Sequence, residues 1–515
     1  MNASPRKSGN TMKISKALIV SLVVGLGASG LWSSAASAGG VADQVRSYSP
    51  AAGDAVEPLE SLLEPASAIT QALPADPQQA LIDATSTLSS ELGFPQDTSL
   101  RIAAAGLSDE AAGRLALVVQ ELLACTRTTQ AHFDAIKDRL DEVAEDGGGL
   151  DPAMFADIRM CADSLWTAAT ELELSMKSGL FTPTDDTNCD AIARRSIDIW
   201  PVLRLDASCA TTTYLNDYLL VVDLGGHDKY INNVGSNLVD LNFAPAGSLV
   251  PGARGFGPSE GCDRAVPGLA AGDCTPAAAL LLDLQGEDTL GVKQTPVIDA
   301  QCTSEPVIRR LVTGGAGFLG VGILRDAGDM NDHYTGKTGA LGSGHIFGVG
   351  ILSDEGGNDT YEAVRNSEGF ALVGGAGLLH DEAGKDTYTF DVPAGGVIDD
   401  QDLCDADPRF VQGAGNVLGP TIGILLDDGG GDNYTGGFSV DFDAPAEQAT
   451  TGRGGSQGFG NNGGFGILFD RGGGFDTYTI LGGDQGQPTR RNNAVILPDP
   501  QCAKSTCSGG VFIDR

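Results

Sequence analysis

The stretch Gly350-Ile-Leu-Ser-Asp354-Glu-Gly-Gly-Asn-Asp359-Thr-Tyr361 carries a pattern that recurs along the chain. Apolar residues precede a first aspartate, a glycine-containing turn leads to a second aspartate, and a tyrosine or leucine follows. Glycine adopts the positive φ of tight turns and aspartate bonds its own backbone, so each copy predicts strand, turn and strand. The first aspartates of the copies are Asp223, Asp283, Asp326, Asp354, Asp381, Asp427 and Asp470.

The spacing of the copies indicates the architecture. Successive first aspartates are 60, 43, 28, 27, 46 and 43 residues apart. A β-propeller blade needs four strands and about 40–45 residues, so the shortest intervals are too short for a blade. The long intervals fit a short unit that carries an insertion. We therefore predict a mainly β protein, a right-handed parallel β-helix (a solenoid) of about seven repeats, with a β-propeller as the alternative.

The residues before each first aspartate predict how the strand is packed. Gly350-Ile-Leu-Ser and Gly423-Ile-Leu-Leu are two of five similar tetrapeptides. Adjacent isoleucine and leucine place apolar groups on both faces, which is typical of a strand buried on two sides. The recurrent glycine predicts that another backbone approaches closely there.

Stacked coils would align the aspartates in two columns, with neighbours about 4.8 Å apart. Such carboxylates repel by roughly 3 kcal/mol per pair at an effective dielectric constant near 20. Solvent, protons, hydrogen bonds from glycine amides or a cation could relieve this repulsion, and carboxylates are ligands that Ca²⁺ prefers. The alternative is that the aspartates only cap turns. The candidate metal ligands are Asp223, Asp228, Asp326, Asp332, Asp354, Asp359, Asp381, Asp386, Asp427, Asp432, Asp470 and Asp476.

The Gly-Gly-x-Asp turns resemble the calcium-binding repeats of RTX-type β-roll proteins, with Gly429-Gly-Gly-Asp432 the nearest approach. The resemblance covers about eight residues per copy between Asp223 and Tyr478. RTX repeats are nonapeptides, whereas these copies are at least 27 residues apart. The resemblance therefore implies calcium by analogy and not the β-roll itself.

The net charge limits the classes of binding partner, and the N-terminal segment indicates the cellular location. The formal net charge of −36 excludes electrostatic binding to nucleic acid or anionic lipid and favours cations. Residues 1–38 read as a signal peptide, with a basic start, an apolar run and Ala36-Ser-Ala38 as the cleavage site. We expect a secreted, extracellular protein with no stable membrane span after cleavage. The ten cysteines then predict disulfides, with Cys502–Cys507, Cys262–Cys274 and Cys189–Cys209 as plausible pairs.

The remaining segments are assigned by composition and periodicity. Residues 39–106 form an Ala/Pro-rich, flexible or loosely helical lead-in, and residues 107–180 an α-helical hairpin. The hairpin's helices begin at the N-caps Ser108 and Asp151. Measured from Gly147-Gly-Gly149, Cys125 and Cys161 are about ten residues out of register, which argues against a bridge between them. Residues 181–217 are predicted to connect and cap the repeat region at 218–480, and residues 481–515 to cap its other end.

These observations favour a secreted structural or binding protein near the cell surface, stabilised by calcium. Its expected partners are divalent cations and a cell-surface polymer or protein. The enzymatic alternative is a polysaccharide lyase or glycoside hydrolase on the same scaffold. The acidic segment Asp399–Asp407 and His345 could serve a hydrolase, and Arg309, Arg310 and Arg325 could serve a lyase by residue type. No catalytic constellation is convincing, and we favour a role without catalysis.

Overall fold

In the computed structural model, the described residues begin at Gly40 and form helices followed by parallel sheets. It describes residues 40–94, 99–136, 151–180, 196–208, 210–214, 216, 218–231, 235–237, 239–243, 249–252, 278–291, 314–336, 339–363, 366–390, 411–416, 421–437, 457–461, 464–481, 492–497 and 509–515. The predicted signal peptide lies outside these ranges. So do all the cysteines except Cys125 and Cys161, including the three predicted pairs.

Among the described residues, six α-helices precede the sheets. They are α1 Val41–Arg46, α2 Pro50–Val56, α3 Pro77–Glu91, α4 Ser99–Ala104, α5 Asp109–Ile136 and α6 Pro152–Ser175, with a 3₁₀ helix at Glu57–Leu62 and a π-helical turn at Met176–Leu180. In the lead-in, which was expected to be flexible or loosely helical, the structure shows helices with buried apolar residues. Glu171 of α6 also binds this segment. It accepts N–H bonds from Thr70 and Gln71 and forms an ion pair with Arg114.

The helical hairpin is observed, and the prediction against a Cys125–Cys161 bridge is wrong. Asp151 caps α6 as expected, with its side chain accepting from the Ala153 N–H. Cys125 and Cys161 form a disulfide, with Cα atoms 5.3 Å apart. Contacts of Glu110 with Ser175 and of Arg114 with Glu171 set a register whose midpoint precedes the glycines at 147–149. The prediction took those glycines as the midpoint.

The largest sheet, here called the long sheet, contains eleven strands among the described residues. Its central strands all pair parallel, and an antiparallel strand lies at each edge. In spatial order the strands are Ile197–Ile199, Leu203–Asp206, Leu220–Asp223, Ala279–Asp283, Val321–Asp326, Val349–Asp354, Ala376–Asp381, Ile422–Asp427, Phe465–Asp470, Gly509–Asp514 and Val495–Ile496.

A second parallel sheet, the tyrosine sheet, contains the residues that follow the second aspartates. Its strands are Thr213–Tyr214, Lys229–Tyr230, Thr289–Leu290, His333–Thr335, Thr360–Ala363, Thr387–Phe390, Asn433–Gly437 and Thr477–Leu481. A third, narrow parallel sheet contains Gly317–Phe318, Gly344–His345, Ala371–Leu372, Gly415–Asn416 and Gly460–Asn461. A separate antiparallel pair is formed by Val239–Phe243 and Leu249–Gly252.

The pairing between repeats is compatible with a parallel solenoid. Equivalent strands of successive repeats are neighbours in each of the three sheets, as Val321–Asp326, Val349–Asp354 and Ala376–Asp381 are in the long sheet. A propeller would need separate antiparallel blades, and the described residues show none. The protein is therefore largely β, with parallel strands in sheets and several helices.

Both faces of the long sheet are buried, as the adjacent isoleucine and leucine predicted. Leu324, Leu352 and their equivalents pack with the tyrosines in one apolar cluster. Ile323, Ile351 and their equivalents belong to a second cluster that also contains the helices. The glycine prediction is also confirmed: a Cβ on Gly350 would lie 2.0 Å from the Ser343 carbonyl oxygen.

Helix α6 contacts the outer face of the long sheet through a buried ion pair. Arg325 on the strand Val321–Asp326 donates through Nε to Glu173 Oε2 at 3.1 Å. The Arg325 side chain also donates to Ser353 Oγ and to Glu382 Oε1. Arg325 is 1% exposed, which removes it as a candidate lyase residue because no substrate could reach it. Among the described residues, no helix combines the length and apolar character needed to cross a membrane.

Candidate functional site

The first aspartates form one column along the long sheet. Asp326 pairs in register with Asp283 on one side and Asp354 on the other, and the same register continues through the sheet. All members are buried. The full column is Asp206, Asp223, Asp283, Asp326, Asp354, Asp381, Asp427, Asp470 and Asp514.

From Asp223 to Asp470, each oxygen of a first-column carboxylate has a local partner, whereas Oδ2 of the terminal Asp514 has none among the described residues. Asp381 Oδ1 accepts the Ala383 N–H at 3.1 Å, which is an Asx-turn, and Asp381 Oδ2 accepts the Tyr361 hydroxyl at 2.8 Å. The repeats from Asp223 to Asp470 share this arrangement of a backbone N–H two residues later and a tyrosine hydroxyl. The turn-capping interpretation therefore describes the first column.

The tyrosines form a column of their own beside these carboxylates. The rings of Tyr334, Tyr361, Tyr388, Tyr434 and Tyr478 are stacked nearly parallel, with successive centroids 4.7–4.9 Å apart. The rings of Tyr214 and Tyr230 stack in the same way. This stack holds the hydroxyls in line with the aspartates.

The second aspartates form a second column with a different hydrogen-bonding pattern. Asp332 N–H donates to Asp359 Oδ1 at 2.6 Å, and Asp359 N–H donates to Asp386 Oδ1 at 2.6 Å. The pattern continues to Asp432 and Asp476. From Asp288 onward, each second-column carboxylate thus accepts the N–H of the preceding member through Oδ1, while Asp228 Oδ1 accepts the Thr212 N–H.

The other oxygen of each second-column carboxylate is buried and lacks a partner among the described residues. This holds for Oδ2 of Asp228, Asp288, Asp332, Asp359, Asp386, Asp432 and Asp476. These seven residues are 0–4% exposed, so bulk water does not reach the atoms. A buried carboxylate oxygen without a donor is costly, and it requires a proton of its own or a cation.

Within the described part of the chain, the two columns meet in five groups of three carboxylates, here called triads, in which one oxygen from each residue lies within 4.8 Å of the other two. Each triad combines both aspartates of one repeat with the second-column aspartate of the preceding repeat. The triads are Asp288/Asp326/Asp332, Asp332/Asp354/Asp359, Asp359/Asp381/Asp386, Asp386/Asp427/Asp432 and Asp432/Asp470/Asp476. Such clusters of oxygen donors could hold a metal ion.

The electrostatics of the triads follow from burial and from mutual repulsion. Burial, together with the charges of the neighbouring Asp386 and Asp470, raises the pKa of Asp432 to about 8. Burial likewise raises the pKa of Asp359 to about 7 and of Asp386 to about 6. In the first column, burial and other aspartates hold the pKa of Asp354 and its equivalents well above the usual range.

The structure brings together most, but not all, of the candidate ligands. Ten of the twelve lie in triads, whereas Asp223 and Asp228 do not. Asp288 belongs to a triad but was not among the candidates. Two further column members, Asp206 and Asp514, were missed. The sequence Gly510-Val-Phe-Ile-Asp514 matches the strand pattern and could have revealed the latter.

The residues of the enzymatic alternative are not assembled in the described part of the chain. His345 lies in the narrow sheet, and Arg325 lies in the long sheet, where it is buried in an ion pair with Glu173. The acidic segment 399–407 and residues Arg309 and Arg310 lie outside the described residues.

Comparisons with protein-family models, with curated proteins and with solved structures gave no match. The resemblance of the turns to RTX-type repeats therefore rests on the residues of this chain alone.

Proposed function

We propose that the chain is a secreted structural or binding protein, built on a parallel β-solenoid whose coils are held together by divalent cations, with Ca²⁺ as the first choice. The observation that carries the proposal is the column of buried Oδ2 atoms without partners. Each triad member in this column carries such an atom and contributes one carboxylate oxygen to a group close enough to share one ion.

A proton is the competing way to satisfy these oxygens. Near neutral pH a proton serves only part of the column, because the pKa of Asp386, raised by burial, is about 6. Deprotonated members would then repel their neighbours in a buried site, where charges are poorly screened. The charges that raise the pKa of Asp359 and Asp432 come from other aspartates, so a cation from outside the chain is the natural counter-charge.

The donor set favours calcium over other common ions. All the ligands are carboxylate oxygens, which suit Ca²⁺, Mg²⁺ and Mn²⁺ better than the ions that prefer sulfur or imidazole. Mg²⁺ gives up its waters reluctantly and usually keeps several of them. Because the triad residues are buried, they suit an ion that accepts mostly protein ligands.

The extracellular location of the protein is proposed from its sequence and its disulfide. A cleaved signal peptide would export the chain, and the Cys125–Cys161 bridge is of a kind that persists in oxidising compartments. The structural or binding role follows from the same residues, because the carboxylates of the repeats lie inside the fold and not in an open cleft. A cell-surface polymer or protein is the proposed partner class.

Thermal unfolding of the purified protein tests the cation. We expect millimolar Ca²⁺ to raise the melting temperature well above the value in excess EDTA, because an ion that binds only the folded state stabilises it. Mg²⁺ at the same concentration should have a much smaller effect. NaCl at matched ionic strength controls for screening of the −36 net charge. Equal melting temperatures in EDTA, Ca²⁺ and NaCl would leave the aspartates as turn caps and contradict the proposal.

A further inference from the structure

We infer that the repeat segment holds a continuous row of five divalent cations, in which neighbouring ions share a carboxylate; this inference rests on the proposed function. The proposed sharing of carboxylates rests on aspartates that belong to two triads. Asp332 completes the triad of its own repeat and also joins the triad of the next repeat. Asp359, Asp386 and Asp432 do the same, whereas Asp354 and the other first-column members each belong to one triad.

The row has defined ends. Asp288 and Asp476 are its terminal second-column members, and each belongs to a single triad. Asp228 has the same local structure as Asp359, with a buried, unpartnered Oδ2 and an Oδ1 that accepts a backbone N–H. Asp228 nevertheless lies in no triad. Repetition of the motif therefore does not by itself create a site; the site needs three carboxylates from two successive repeats.

Charge balance supports one ion per triad. Eleven aspartates make up the five triads, so five divalent cations that displace their protons would bring ten positive charges against eleven negative ones. Monovalent ions in the same places would leave a buried excess of six negative charges. Because the repeats stack about 4.8 Å apart, adjacent cations would lie close together. A shared carboxylate between two ions offsets their repulsion, and this is the position that Asp332, Asp359, Asp386 and Asp432 occupy.

The number of bound ions in matched variants tests the sharing. At a free Ca²⁺ concentration that just saturates the unmodified protein, equilibrium dialysis with metal analysis should give five ions per chain. Asp359→Asn should lose two ions, because two triads need this residue, and Asp354→Asn should lose one. Asp228→Asn, which changes an equally buried second-column aspartate outside the triads, should lose none.

A second measurement uses the unmodified protein and does not depend on the folding of a variant. Tb³⁺ is a luminescent substitute for Ca²⁺, and the stacked tyrosines beside the triads should sensitise its emission. With Tb³⁺ and Eu³⁺ loaded together, ions in adjacent triads should transfer energy, so the Tb³⁺ emission lifetime should shorten relative to loading with Tb³⁺ and non-luminescent La³⁺. An unchanged lifetime would contradict a continuous row.

The outcomes separate this inference from the proposed function. Binding of no ion by any of these methods would overturn both. Binding with equal losses in Asp359→Asn and Asp354→Asn, or with a loss in Asp228→Asn, would overturn the shared row while leaving a cation-stabilised solenoid intact.

Discussion

The hydroxyl of Tyr361 donates to Asp381 Oδ2 at 2.8 Å and is the donor that the described residues provide to that oxygen. Tyr434 differs, because its two acceptors, Asp427 and Asp470, also receive hydroxyls from Tyr388 and Tyr478. We expect Tyr361→Phe to lower the free energy of unfolding by about 1–3 kcal/mol, the usual cost of an unsatisfied buried polar group.

Tyr434→Phe is the matched control, since it removes a hydroxyl from the same stack and leaves each carboxylate a donor. We expect its cost to be clearly smaller. Urea unfolding of both variants in EDTA measures the difference without a contribution from cations. Equal losses would mean that the hydroxyls act through ring packing and not through the carboxylates.

A second residue-scale prediction concerns pH and the buried Glu368. This residue adopts a left-handed conformation, with φ of 55°, as do Gln412 and Gln457 at equivalent places in the next repeats. Gln412 donates through Nε2 to the Thr435 carbonyl oxygen at 3.0 Å, which a deprotonated glutamate could not do. Burial holds the pKa of Glu368 well above its usual value of 4.5, so the folded protein keeps a proton that the unfolded chain releases.

The sign of the pH effect follows from this proton. The contribution of Glu368 to stability is complete below pH 4.5 and falls as pH rises, by up to about 1.4 kcal/mol per pH unit. Glu368→Gln should remove this loss, so its advantage in free energy of unfolding should grow from pH 4.5 to pH 7. Gln412→Glu should show the opposite trend. Parallel stability curves for the three proteins would contradict the assignment.

At the scale of the strand, the recurrent glycine of the long sheet should be irreplaceable. A Cβ on Gly350 would lie 2.0 Å from the Ser343 carbonyl oxygen, and the equivalent glycines meet a backbone oxygen at similar distances. Because backbone must move to accept a methyl group, we expect Gly350→Ala to cost about 3 kcal/mol or more. Gly431→Ala is the control, since its nearest contact would be 3.3 Å. Thermal unfolding should show a much smaller effect for the control.

The strand scale also shows what could be predicted from the sequence. The Gly-Ile-Leu pattern predicted strands buried on both faces because it records local packing on each strand. The spacing of the aspartates likewise predicted the two columns. What covers the outer face was not predictable, because the salt bridge of Arg325 with Glu173 joins residues that are 152 positions apart. The triads depend on how coils are stacked. Asp228 and Asp359 therefore share a sequence motif, but Asp359 belongs to two triads and Asp228 to none.

At the scale of the whole molecule, the helices and the sheets share one core. Residues of the helices such as Leu122, and residues of the long sheet such as Ile323, belong to the same buried apolar cluster. The segments 107–180 and 218–480, assigned from the sequence as separate units, are therefore joined by apolar packing and by the Arg325 ion pair. Repeat arrays can lose cooperativity along their length, and a shared core opposes this.

This core predicts a single unfolding transition for the described fold. Trp166 in α6 is buried and its Nε1 donates to the Glu64 carbonyl oxygen, so its fluorescence reports the helices in a variant whose other two tryptophans, Trp32 and Trp200, are replaced by phenylalanine. The tyrosine stack reports the sheets through near-ultraviolet circular dichroism. We expect the two signals to change at the same temperature, with agreement between calorimetric and van't Hoff enthalpies. Arg325→Met leaves Glu173 with Lys177 as its ion-pair partner and should lower both midpoints together, by an amount corresponding to at most about 3–5 kcal/mol. If the tryptophan signal were lost first while the tyrosine signal persisted, the helices would be an independent unit and the shared core would not govern stability.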